Sequence, residues 1–166
     1  MKTEIATFGM GCFWGPDALF GTVQGVVSTR VGYSGGTVSS PSYEQVCTGA
    51  TGHAETVEIV FDPAVVSYAQ LLDLFWHNHN PTTLDQQGPD YGSQYRSVIF
   101  YHSPSQKQQA EETKKAIQKL LAQPIVTEIV PASRFWPAEG YHQGYFKKKG
   151  INRSCHISWK TPKELH

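Results

Sequence analysis

Two periodicities alternate along the chain, the two-residue repeat of strands and the roughly 3.6-residue repeat of helices. Glu4-Ile5-Ala6-Thr7-Phe8 predicts a short strand. Pro16-Asp17-Ala18-Leu19-Phe20 predicts a first helical turn, because proline suits the first helical position and an acid suits the positive helix end. Val26–Tyr33 places Val27, Val31 and Tyr33 at alternate positions, a strand closed by Ser34-Gly35-Gly36. After a loop over 34–42, Ser42 caps a short turn through Tyr43–Cys47, which Gly49 stops. His53–Phe61 predicts the next strand, with Val57, Ile59 and Phe61 on one face. Ser67 begins a helix through Trp76 whose stripe is Leu71, Leu72, Phe75 and Trp76, and Asn80-Pro81 ends it. Thr82–Gly92 is a polar loop with a Gly88-Pro89 turn, followed by a strand over Tyr95–Tyr101. Ser103-Pro104 caps a long helix to about Leu121, Ile125–Val130 predicts a strand, and Pro137 opens a helix through Tyr145 or Phe146.

Strand, helix, strand, strand, helix, strand is the order of the split βαβ of ferredoxin-like folds. The expected fold is a two-layer α+β sandwich with that core, an added helix and strand, and an irregular tail from Ile151 that carries Cys155. The length of 166 residues suits one domain with a real core, here 1–166, and not two.

Charge and composition remove several functions from consideration. Fourteen basic and fourteen acidic residues cancel, so nothing electrostatic favours nucleic acid or an anionic membrane. No apolar run reaches the roughly 18 residues of a membrane span, and the N-terminus enters a strand with no basic-then-apolar signal. A cytoplasmic monomer is the expectation. Cys12, Cys47 and Cys155 are too few and too scattered for a disulfide framework, and with no C-x-x-C pair there is neither a redox pair nor a four-cysteine zinc site. His77 and His79 lie two apart on a predicted helix, on different faces, and are read as structural rather than metal ligands. Gly9-x-Gly11 lacks the spacing of a dinucleotide fold, and no phosphate-binding loop occurs.

The chemistry concentrates at Gly11-Cys12-Phe13-Trp14-Gly15. Cys12 falls at a strand-to-helix turn near unpaired backbone N–H groups, a setting that stabilises a thiolate. Phe13 and Trp14 add an apolar wall beside the sulfur. Glu55 has the parity of Val57, Ile59 and Phe61, so it faces the buried side, where desolvation raises a carboxyl pKa. A thiol near a neutral carboxyl and hydroxyl donors suits attack on an electrophilic centre whose departing oxygen must be protonated. Two other readings compete. A cysteine hydrolase or acyltransferase needs a histidine base, for which His53, His102 and His142 are available. A redox-sensing module would oxidise Cys12 without turnover.

Five blocks together resemble the A-type peptide methionine sulfoxide reductases: Gly11–Gly15, Pro41–Gly49, Thr51–Glu55, His79–Thr82 with Gln87–Gly92, and Gln94–Ser97, extended by Ala138–Gln143. The resemblance spans roughly residues 4–146. It implies that Cys12 attacks the sulfoxide sulfur, that Glu55 protonates its oxygen, and that Tyr43 and Tyr95 donate hydrogen bonds to that oxygen. Asp90 would support the polar side, while Phe13 and Trp14 would hold the S-methyl group. The implied substrate is the S epimer of methionine sulfoxide, free or in oxidised proteins and peptides. No bound cofactor or metal is implied; thioredoxin, or a dithiol such as dithiothreitol, is the external reductant. Such enzymes commonly resolve the sulfenic acid with cysteines of a glycine-rich C-terminal tail. Here the tail is not glycine-rich and holds Cys155, for which a Cys12–Cys155 disulfide is expected ahead of resolution by Cys47 or by an external thiol, with Cys47 expected to be a small buried residue.

Overall fold

The computed structural model describes residues 2–150; the tail 151–166 and Cys155 lie outside the described residues. In chain order the elements are β1 (Glu4–Met10), α1 (Trp14–Gly21), β2 (Val26–Ser34), α2 (Tyr43–Cys47), β3 (Ala54–Phe61) and α3 (Tyr68–His77). A small hairpin follows, β4 (Gln86–Gln87) and β5 (Asp90–Tyr91), and then β6 (Ser97–Tyr101), α4 (Pro104–Gln118), β7 (Glu128–Pro131), β8 (Trp136–Pro137) and α5 (Tyr145–Lys148). Serine caps set the helix starts. Ser42 and Ser67 each accept from the backbone N–H three residues on, and Gln45 and Gln70 return the bond to the cap N–H, while Ser103 caps α4 ahead of Pro104.

The six-stranded sheet runs β7-β6-β1-β3-β2-β8. Its centre, β6-β1-β3-β2, is antiparallel throughout and is the expected split βαβ core. Among the described residues only β6 and β7 pair in parallel, joined through α4 as a parallel crossover requires. One face carries the helices: Ala6, Phe8 and Met10 of β1 and Val57, Ile59 and Phe61 of β3 pack with Phe20, Leu71, Leu72, Phe75, Trp76, Ala110 and Ile117. A smaller cluster of Phe13, Val31, Tyr33, Val46 and Ala138 closes one end of the sheet. No helix of the described residues is long and apolar enough to cross a membrane.

Three expectations need correction. The helix expected from Pro137 is absent. Trp136 and Pro137 instead pair with Tyr33 and Gly32 at the sheet edge, where proline's missing N–H costs no ladder bond; a 3₁₀ turn follows over Gly140–His142, and Gly144 at φ +62° separates it from the α-helix over Tyr145–Lys148. The strand expected from Tyr95 starts at Ser97, because residues 93–95 form a single 3₁₀ turn after Gly92. Cys47 is exposed rather than buried: in the short helix α2 it is Val46 that faces the core, which turns the next side chain toward solvent.

Candidate active site

Gly11 ends β1 with φ +94°, a backbone that glycine adopts without a Cβ clash, and it swings the chain from strand into α1. Cys12 follows, half-buried, and Phe13 is the helix N-cap. The sulfur therefore stands at the positive end of α1, as the sequence predicts.

Glu55 reaches the same place from β3, where it lies opposite Tyr33 of β2. It is 1% exposed, so the carboxyl is turned inward with Val57, Ile59 and Phe61. The backbone N–H of Phe13 donates to Glu55 Oε1 at 3.2 Å. That bond ties the carboxyl to the peptide unit immediately after Cys12.

Two phenols share this environment. Burial pushes the Tyr43 hydroxyl far above its ordinary pKa, helped by a hydrogen bond to the Cys47 sulfur. Residues 43 and 47 are neighbours one turn apart on α2, which brings that sulfur to the phenol. Tyr95 is pushed up likewise, chiefly by burial, in a site it shares with Glu55, Cys47, Asp90 and Cys12. Both phenols keep their protons across the neutral range and can serve as donors. Asp90, half-buried in the hairpin, has its carboxyl pKa raised by burial. The fold thus gathers Cys12, Glu55, Tyr43, Tyr95 and Asp90 from five separate segments.

The apolar side is built from the two residues after the thiol. Phe13 is buried against Tyr33, with ring centroids 5.8 Å apart, and the Trp14 indole stacks on Tyr145 at 3.9 Å and 10°. Two residues the sequence reading left without a part in this reaction complete the wall. Glu139 accepts from the Tyr33 hydroxyl at 3.1 Å and from the Tyr43 backbone N–H at 3.0 Å, joining β2 to α2. Burial works to raise its pKa, yet these hydrogen bonds hold the carboxyl below the usual value. His142 accepts from the Trp14 indole N–H. Both lie in the block Ala138–Gln143, and the signal that could have found them was that block's position in the family order.

The histidines speak against the hydrolase reading. His53 uses both ring nitrogens, on the Gly36 N–H and the Val38 carbonyl. His102 bonds to Thr7. His142 gives Nδ1 to Trp14, and its Nε2 has no hydrogen-bond partner among the described residues, the Cys12 thiol included. His79, buried between Phe75 and Ser97, is structural as expected.

Comparison with known proteins places the chain in a family. A family model described as peptide methionine sulfoxide reductase matches residues 4–165. The chain is 57% identical over 159 residues to a peptide methionine sulfoxide reductase MsrA of Methanosarcina mazei, covering 95% of this chain and 75% of that protein. A protein of the same name from Geobacter sulfurreducens is 56% identical over 149 residues, 89% of this chain and 92% of its own length. Among solved structures, reduced Mxr1 from Saccharomyces cerevisiae is similar with a TM-score of 0.89 at 34% identity, covering 97% of this chain and 93% of that one. Mxr1 in complex with Trx2 shares the fold, at TM-score 0.65 and 23% identity over 97% and 91% of the two chains.

Proposed function

The chain belongs to the peptide methionine sulfoxide reductase family, and from that premise we propose that Cys12 is the nucleophile and Glu55 the acid of its thiol-dependent reduction of methionine sulfoxide. The Cys12 thiolate attacks the sulfoxide sulfur while Glu55 passes its proton to the sulfoxide oxygen. The hydroxyl so formed passes from the substrate sulfur to Cys12 Sγ as the bond between the two sulfurs breaks, leaving methionine and a Cys12 sulfenic acid, with Glu55 left as the carboxylate. The Phe13 N–H to Glu55 bond carries this reading, because it sets a buried carboxyl beside the nucleophile's own peptide. Burial at 1% exposure penalises the charged carboxylate and favours the protonated acid the step requires. Tyr43 and Tyr95 donate to the oxygen, Asp90 supports that polar side, and Phe13 and Trp14 hold the S-methyl group. The S epimer is the substrate, in proteins, peptides or as the free amino acid.

Cys155 then condenses with the sulfenic acid, releasing water and forming a Cys12–Cys155 disulfide. Thioredoxin reduces that disulfide by exchange; the relative Mxr1 has been solved in complex with Trx2. Residues 1–166 act as one catalytic unit, as a monomer in the cytoplasm, where such a reductant operates.

Replacing Glu55 by Gln keeps the side chain's size and its acceptor for the Phe13 N–H but removes the acid. We expect kcat to fall by ~10²–10⁴ with substrate binding retained. Near-normal turnover of the variant would take Glu55 out of the mechanism.

A further inference from the structure

We propose that Arg96 is a positioning residue that holds the turn carrying Tyr95 in register with the strand entry carrying Glu55, so that both side chains meet the same sulfoxide oxygen. The inference rests on the proposed roles of Tyr95 and Glu55. Arg96 follows Tyr95 directly, and its side chain is 15% exposed. Its guanidinium holds three partners. Nη1 donates to the Ser93 carbonyl at 2.9 Å, Nη2 donates to the Gly52 carbonyl at 3.0 Å, and Nε pairs with the Glu128 carboxylate at 3.0 Å. Ser93 opens the 3₁₀ turn that ends at Tyr95, and Gly52 lies just ahead of the strand that carries Glu55.

The sheet does not set this register by itself. β1, which leads to Cys12, runs between the two segments; its pairing with β3 stops at Phe8–Val57 and its pairing with β6 at Met10–Ser97. Glu55 and Tyr95 each lie past the last residue that β1 pairs on their side. A Cβ on Gly9 would stand 3.2 Å from the Arg96 carbonyl oxygen and 3.4 Å from that of Glu55, so the two main chains converge on β1 from either side. Past that point the Arg96 side chain joins one segment to the other. The donors of a guanidinium are fixed relative to one another, so the fork also fixes the two carbonyls it holds. An arginine serving stability alone would need only its carboxylate, and Glu128 is half-exposed, where an ion pair contributes little. The two inner donors instead go to main chain on both flanks of the site.

Variants of the full-length enzyme test this in single turnovers with enzyme in excess over racemic methionine sulfoxide, where the amplitude reports the active fraction and the rate constant reports the chemistry. Arg96→Lys keeps the charge beside Glu128 but loses the fork. Its rate constant is expected to fall about tenfold to hundredfold, with half the substrate still converted and the half-saturating enzyme concentration within about twofold of the parent. Glu128→Gln removes the ion pair and leaves both carbonyl bonds, and its rate constant is expected to stay within about twofold. In a Tyr95→Phe background, Arg96→Lys is expected to slow the reaction by no more than about threefold, because one of the two groups it aligns is already gone. A rate constant for Arg96→Lys within about twofold of the parent overturns the proposal. So does equal slowing by Glu128→Gln, an undiminished effect of Arg96→Lys in the Tyr95→Phe background, or a loss confined to the amplitude. An unchanged rate constant in Tyr95→Phe alone fails the reading of Tyr95 itself; a slowed Tyr95→Phe with no effect of Arg96→Lys fails only the positioning role. Should Arg96→Lys not fold, Arg96→Gln, whose amide donates to a single carbonyl, takes its place with the same expected slowing, and failure of both to fold overturns the proposal.

Discussion

His142 and Glu139 both hold fewer protons in the folded protein than in the open chain, for different reasons. Burial lowers the His142 pKa below 6.5, more than the nearby Glu139 charge restores, and the hydrogen bonds from Tyr43 and Tyr33 hold Glu139 below 4.5. When the unfolded state binds more protons, stability rises with pH. The His142 contribution is therefore complete above 6.5 and is lost as pH falls through its lower folded pKa, and that of Glu139 is lost in a second window below 4.5. Asp90 opposes this, since burial raises its pKa. We expect the urea midpoint to drop between about pH 7 and about pH 5, and to drop less in His142→Asn; equal slopes would remove His142 from the balance. At this scale Glu55 was legible, because strand parity alone turns it inward. Cys47 was misread as buried, since one turn of helix carries too little pattern to show which side faces out.

Elements with serine caps and clear stripes, such as α2, α3 and α4, were readable within a few residues. The segment over 136–148 was not. Its proline and aromatics resemble a helix start, whereas a tertiary contact decides the outcome: Ala138 N–H donates to the Val31 carbonyl, continuing the pairing of β8 with β2. Gly32 makes that approach possible. A Cβ there would overlap the Trp136 carbonyl oxygen and come within 2.5 Å of Phe135 Cζ. Gly32→Ala should therefore push β8 from the sheet edge and loosen Glu139 and His142 behind it. We expect a loss of about 1–3 kcal/mol in denaturant unfolding together with a raised KM. A variant with wild-type stability and KM would show that β8 does not carry the wall.

For the molecule as a whole, the strand order brings the start of α1, the start of β3 and the turn before β6 to one end of the sheet. That convergence places a thiol, an acid and two phenols together although they are spread from residue 12 to residue 95 of the chain. The split βαβ core was visible in the element order. The site's apolar wall was only half visible, because its outer half comes from an edge segment whose conformation depends on the finished sheet.

The most direct test is a single turnover with enzyme in excess over racemic methionine sulfoxide and no added reductant, counting free thiols before and after. The account requires conversion to stop when half the substrate is consumed, with two thiols lost for each methionine formed and mass spectrometry joining Cys12 to Cys155. No methionine from the intact protein, or an equal yield from Cys12→Ser, would contradict the assignment of Cys12. Loss of a single thiol per methionine would contradict resolution by Cys155.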